Sequence, residues 1–225
     1  MPASAPFVRR RLVIDSATEA CSVALYEGDT LLAGEYRMLG RGHAEQLMPM
    51  IAALPDKGRA ATILVDRGPG SFTGIRVGLA AARALALAWN ARVLGYESLT
   101  LVAAMALADQ PDTPDTAVDV VMTGGHGEWF FRPFDAAGLP LDDLSSLPPQ
   151  KALARLAAPL VAGSQAAACA DGGIDRRARQ LWPDARQAHL LPPAALTDGA
   201  APAYGRAPDA KLPVAAPPAI ARHPA

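Results

Sequence analysis

The chain has 225 residues, 51% of them hydrophobic and 5% aromatic. That length and apolar fraction exclude a wholly disordered chain and fit one large domain or two small ones. A formal net charge of -1 excludes a protein that grips nucleic acid alone, because phosphate binding needs a basic face.

In chain order, "RLVIDSATEACSVALYEGDTLLAGEYR" reads as three strands. The first ends in Asp15, the second follows a short Ser/Thr turn, and Gly28 takes positive φ in the tight turn to the third. His43 to Leu54 has helical spacing, with Leu47, Ile51 and Leu54 on one face and Ala44, Met48 and Ala52 in a second apolar stripe. Pro49 is expected to kink this helix or mark its start. "ATILVD" is a buried-type strand, and "RVLGYES" is a shorter one. "SLTLVAAMALAD" is a helix with Ser98 as its N-cap. The Pro/Asp stretch "QPDTPDT" sets a boundary between domains 1–110 and 111–225. Beyond it, "AVDVVMT" and "GEWFFRPFD" are strands around a "GGHG" turn. "LPPQKALARLA" is a short helix and "PLVAGS" a strand ending in a Gly-Ser turn. From Pro192 onward the Pro/Ala-rich text predicts an extended or partly disordered tail.

The stretch "DRGPGSFTGIRVGLAAARALALAW", Asp66 to Trp89, combines a glycine-rich turn with an apolar helix. Gly68, Pro69 and Gly70 give a sharp turn after a strand, and Ser71 or Thr73 caps the helix. A strand, a glycine turn and a helix N-terminus offer free N–H groups to an anion. The Gly-Lys-Ser/Thr ending of a Walker A loop and the dinucleotide spacing are both missing. In the helix only Arg76 and Arg83 are charged, and Gly74, Gly78 and Ala82 form a small-residue groove. A helix covering a sheet on one side shows a broad polar face. This one reads as buried on nearly all sides, against a partner or within its own domain.

Two cysteines, Cys21 and Cys169, sit in no metal-ligand spacing and read as reduced, buried thiols. The four histidines, His43, His126, His189 and His223, share no ligand spacing. His43 at a helix start reads as a capping or surface residue. There is no G-x-S-x-G elbow for a hydrolase nucleophile. No run is read as reaching transmembrane length and no signal-peptide core is present, so a cytoplasmic protein without membrane contact is expected. The clusters Arg9–Arg11 and Arg176, Arg177 and Arg179 are too short to make an RNA-binding face.

"IDSATEACSVAL" at Ile14–Leu25 and the glycine-rich text at Asp66–Gly78 resemble the TsaB family, across residues 11–108. "GHAEQLMPMI", "GEWFF" at Gly127–Phe131, "LVAGS" and "APAYGRAPDAKLP" resemble further family segments. TsaB-like proteins are dimerisation subunits of the bacterial complex that forms threonylcarbamoyladenosine in tRNA. The resemblance implies an α/β fold of the actin/hexokinase-like (ASKHA) class, with two related lobes and the second reduced or divergent. It implies a non-catalytic subunit that pairs with the catalytic paralogue TsaD as a heterodimer and is joined by the ATPase TsaE. Alone it would form a homodimer, and it would meet tRNA only through the complex. The implied interface comprises Leu47, Met48, Ile51, Gly74, Arg76, Gly78, Ala81, Ala82 and Leu85. No catalytic residue, metal or cofactor is expected in this subunit. Asp15, Ser16 and Thr18 lie where kinases of this fold approach nucleotide phosphates, with Gly163 and Ser164 on the second lobe. Weak ATP or ADP binding there is left open. The alternative is a small-molecule kinase or carbamoyltransferase of the same fold using Asp15. The chain departs from the family pattern at Thr123 and Gly125, which replace a charged pair.

Overall fold

The computed structural model describes residues 7, 9–110, 116–170 and 176–205. Three strands open the chain: β1 (Arg10–Asp15), β2 (Ala20–Glu27) and β3 (Thr30–Met38). They are followed by α1 (His43–Ala53), β4 (Thr62–Asp66), α2 (Phe72–Trp89), β5 (Arg92–Tyr96) and α3 (Ser98–Ala108). The second half contains β6 (Val118–Thr123), β7 (Trp129–Phe134), β8 (Ser145–Leu147), α4 (Pro149–Arg155), β9 (Leu160–Ala162), α5 (Ala166–Ala170) and β10 (Arg177–Arg179). β11 (Thr197–Asp198) ends the regular structure among the described residues.

Both sheets follow one plan. The first has the order β11-β5-β4-β1-β2-β3, with an antiparallel meander β1-β2-β3 and parallel pairings β1-β4 and β4-β5. The second has the order β10-β9-β6-β7-β8, with antiparallel β6-β7-β8 and parallel β6-β9 and β9-β10. In each, parallel strands extend the meander beyond its first strand. The second version is trimmed, since β8, β9 and β10 have three residues each.

α3 sits between the two sheets. Leu101 packs with Val13, Ala24 and Leu64 of the first sheet. Leu99, Val102 and Ala106 pack with Val118, Val120 and Phe134 of the second. A helix apolar on every side is the kind that two layers can cover at once.

Several local expectations are corrected. α1 runs from His43 straight through Pro49 to Ala53, so Pro49 does not mark its start. The proline is exposed, and the Glu45 carbonyl that loses its helix partner is on the water-facing side. Ser98 is not an N-cap: Glu97 occupies that position without a side-chain cap bond. His43 is neither a surface nor a capping residue. It is 7% exposed, with Nε2 3.3 Å from the Ala20 carbonyl.

The linear division at residue 110 also fails toward the C-terminus. After β10 the chain returns to the first lobe. The 3-10 segment Ala185–Leu190 packs on β2 and β3, and Tyr26 donates to the Ala185 carbonyl at 3.1 Å. β11 then pairs antiparallel with β5 at the sheet edge. The described part of the Pro/Ala-rich tail is therefore docked; its residues 206–225, and 111–115 of the interdomain stretch, lie outside the described residues.

Candidate functional site

The glycine-rich turn first serves its own chain. The Gly68 N–H donates to Asp66 Oδ1 at 2.7 Å, and Ser71 Oγ caps α2 by accepting from the Gly74 N–H. A Cβ at Gly70 would run into the Ala17 carbonyl, and one at Gly74 into the Ser16 carbonyl. A Cβ at Gly78 would overlap Ser16 Oγ. The small-residue groove thus receives the β1–β2 turn of the same chain, and Ala82 joins the same core.

The residues expected at a partner interface divide between the core and the surface. Gly74, Gly78 and Ala82 are buried within the chain, as are Leu47 and Ile51 of α1. Ala81 and Leu85 are half-buried, and Met48 and Arg76 are exposed.

The surface that does face outward was not separable in the sequence. Along α2 it comprises Thr73, Arg76, Ala80, Arg83, Ala84, Leu87 and Ala88. Leu87 is 88% exposed. Both arginines are drawn aside by the C-terminal segment. Arg83 donates to the Ala200 carbonyl at 2.6 Å, and Arg76 lies over the rings of Phe72 and Tyr204. What remains presented, beyond Thr73 at the helix start, is alanine and leucine. Beside it, α1 exposes Ala44, Met48 and Ala52, and a groove of about 350 Å³ runs between Met48, Ala52, Leu85 and Trp89. The spacing 80, 84, 87, 88 was available as a signal, but the helix is apolar in every direction and the inward face masked it.

α2 is also long and apolar enough to cross a membrane by length and composition, which overturns the reading that no run reaches that length. Ile75, Gly78, Leu79 and Ala82 are buried in the first-lobe core. That is how a core helix comes to meet the same criterion.

A second concavity, a cleft of about 340 Å³, opens between the lobes. Thr18, Ser71, Phe72, Thr123, Phe130 and Tyr204 contribute to its walls. Of the residues expected at a nucleotide, only Thr18 lines it. Asp15 and Ser16 are sealed behind Ala17. Gly163 has φ 116°, and its backbone packs against the Val121 carbonyl. Ser164 Oγ accepts from the Thr123 N–H at 2.8 Å and lies 3.0 Å from Thr123 Oγ1. Gly163 and Ser164 build the second-lobe turn and do not line the cleft. Thr123 is the residue that bonds to that turn.

Asp15 is buried and does not line the cleft. Tyr96 donates its hydroxyl to Asp15 Oδ2 at 2.9 Å. Burial, and then the charge of Asp66, raise the Asp15 carboxyl well above the usual carboxylate range. Among the described residues no group of three or more His, Cys, Asp or Glu side chains could hold a metal ion.

The lobes are tied at several points. Glu97 at the head of α3 accepts from Arg67 at 3.1 Å and from Arg132 of β7 at 2.5 Å. Trp182 donates its indole N–H to Glu19 at 3.1 Å. Tyr204 stacks on Phe72 with ring centroids 4.5 Å apart, and Gly205 follows against Phe130, Pro69 and Leu144.

Known proteins place this architecture. A family model described as TsaD, tRNA N6-adenosine threonylcarbamoyltransferase, matches residues 37–163. The tRNA threonylcarbamoyladenosine biosynthesis protein TsaB of Escherichia coli (strain K12) is 39% identical over 99 residues, 42% of this chain and 42% of that protein. The Haemophilus influenzae protein of the same description is 36% identical over 118 residues, 49% of each chain. The chain thus spans about half the length of the curated relatives it matches. The solved structure of YeaZ from Pseudomonas aeruginosa is 27% identical and superposes with a TM-score of 0.66, over 82% of this chain and 90% of that one. The two-sheet α/β plan is that of the actin/hexokinase-like class, and the chain belongs to the TsaB/YeaZ family.

Proposed function

We propose that this chain is a non-catalytic partner subunit. It docks through the outward face of α1 and α2 onto a TsaD-type threonylcarbamoyltransferase and supports formation of threonylcarbamoyladenosine in tRNA next to the anticodon. The observation that carries this reading is the presented face of α2: Ala80, Ala84, Leu87 and Ala88 beside Met48 and Ala52 of α1. The water-facing stripe of a surface helix is normally polar, and a contiguous apolar patch marks an interaction site. The relatives named for threonylcarbamoyladenosine biosynthesis supply the pathway.

In the absence of TsaD the same face closes on a second copy in a two-fold homodimer. The ATPase TsaE joins the heterodimer, and tRNA is held by the complex, in keeping with the net charge of -1. The interlobe cleft is where weak ATP or ADP binding would occur. The assembly acts in the cytoplasm.

The test is reconstitution with TsaD and TsaE of the same organism. Threonylcarbamoyl transfer to tRNA is expected to require this chain and to be lost with Leu87→Arg. Undiminished transfer without the chain, or with that variant, would contradict the reading.

A further inference from the structure

The carboxyl ends of three neighbouring parallel strands carry a row of buried ionisable side chains. Ile14 of β1 lies in register with Val65 of β4, which places Asp15 next to Asp66. Asp66 in turn lies in register with Tyr96 of β5. Residues at the same level of adjacent strands project to the same face. Asp15 and Tyr96 are 0% exposed, and Asp66 is 2% exposed.

The hydrogen bonding of this row does not close with two ionised carboxylates. Asp66 accepts from the Gly68 N–H, and Ser98 Oγ lies 2.9 Å from both of its oxygens. Asp15 Oδ2 accepts from Tyr96, but Asp15 Oδ1 is buried with no donor. An unsatisfied buried carboxylate oxygen is costly. A hydrogen bond from Asp66, its neighbour across the β1–β4 register, would satisfy that oxygen. Between two carboxyl groups such a bond requires a proton on one of them.

Among the described residues no cation pairs with either carboxylate. β2 contributes Cys21 and Tyr26, and β3 contributes Tyr36. Asp184, before the 3-10 segment, and Glu97, before α3, add negative charge. α2 brings only backbone and small residues to the turn at Ser16. The neighbouring cations are each held by another carboxylate: Arg37 by Glu35, Arg67 by Glu97 and Arg186 by Asp184.

We propose that Asp15 and Asp66 share one proton, and that this proton holds the turn Asp66–Ser71 in the conformation that seats α2. Asp66 is the residue through which the row grips that turn. It binds the Gly68 N–H directly, and Ser98 links it to the Pro69 carbonyl at 3.1 Å. Removing the proton leaves two like charges side by side without solvent, and the turn that aims α2 takes the strain. The shared proton stands on the row alone; its effect on partner binding rests on the docking reading.

The sign of the pH dependence follows. In the unfolded chain each aspartate ionises near pH 3.9, whereas the folded pair keeps one proton to higher pH. The folded state therefore binds more protons in that window, and stability falls as pH rises through it.

The test uses the full chain. Its infrared spectrum near pH 7 is expected to show the carbonyl band of a protonated, buried carboxyl that shifts on carbon-13 labelling of aspartate. Asp66→Asn supplies an amide N–H in place of the shared proton. It should lose the band and remove about one proton from the pH dependence of the urea midpoint. Absence of the band from the wild-type chain, or an unchanged pH slope in a folded Asp66→Asn variant, would overturn the proposal. The wild-type spectrum decides alone if neither Asp66→Asn nor Asp15→Asn folds. Because the band is read without a partner, its absence leaves docking untouched, and failure to bind a partner leaves the band in place.

Discussion

The hydroxyl of Ser16 donates to the Gly74 carbonyl at 2.9 Å, and the same hydroxyl fills the space that a side chain at Gly78 would need. One side of α2 is thereby committed to the β1–β2 turn, and the opposite side is left for something else. Gly78→Val should therefore act on folding. Overpacking at this contact is expected to cost about 2 kcal/mol, read as a lower urea midpoint of the isolated chain. Unchanged stability with lost partner binding would instead restore Gly78 to an interface.

Leu87→Arg should behave in the opposite way. Leu87 is 88% exposed, so its replacement should alter stability by no more than about 0.5 kcal/mol. Calorimetric titration against TsaD should show affinity at least about tenfold weaker, since a desolvated arginine in an apolar contact loses about 1.4 kcal/mol or more. Equal affinity would place the contact elsewhere.

Glu97→Gln should loosen the lobes. The carboxylate bridges Arg67 and Arg132, whose side chains are 20% and 15% exposed. Removing its charge leaves two partly buried guanidinium groups facing each other. A loss of about 2 kcal/mol is expected, below the range for fully buried pairs because water screens this one in part. Hydrogen exchange should rise on both sides of α3, and protection equal to wild type would show that the bridge is dispensable.

The fold was legible where a residue's role is decided by its neighbours in sequence. The apolar run into Asp15 and the turn at Gly28 come out as read, and of the two candidate caps Ser71 and Thr73 it is Ser71 that caps α2. Roles decided at a distance were not legible. Ser98 stands where an N-cap would, but Asp66, 32 positions earlier, takes its hydroxyl. Gly74 and Gly78 read equally well as a partner groove or an internal one, and only the position of Ser16 chooses. Leu47 shares a helix with Met48, and which of them faces water depends on where the sheet lies. Thr197–Asp198 sits in Pro/Ala-rich text without periodicity, and its strand exists because the edge of β5 is open beside it.

The cysteines offer a check on packing. Burial pushes the Cys21 thiol up to about 12 and the Cys169 thiol up to about 11. Neither should react with a thiol reagent while the chain is folded, because the thiolate is the reactive form. Both should react after unfolding in urea. Prompt labelling of the native chain would contradict the burial of β2 or α5.

The measurement that bears most directly on the docking account is sedimentation of the purified chain, alone and mixed with TsaD of the same organism, for wild type and Leu87→Arg. The account predicts a wild-type homodimer that exchanges into a one-to-one heterodimer, and a folded monomeric variant that does neither. A wild-type chain that stays monomeric and ignores TsaD would contradict it.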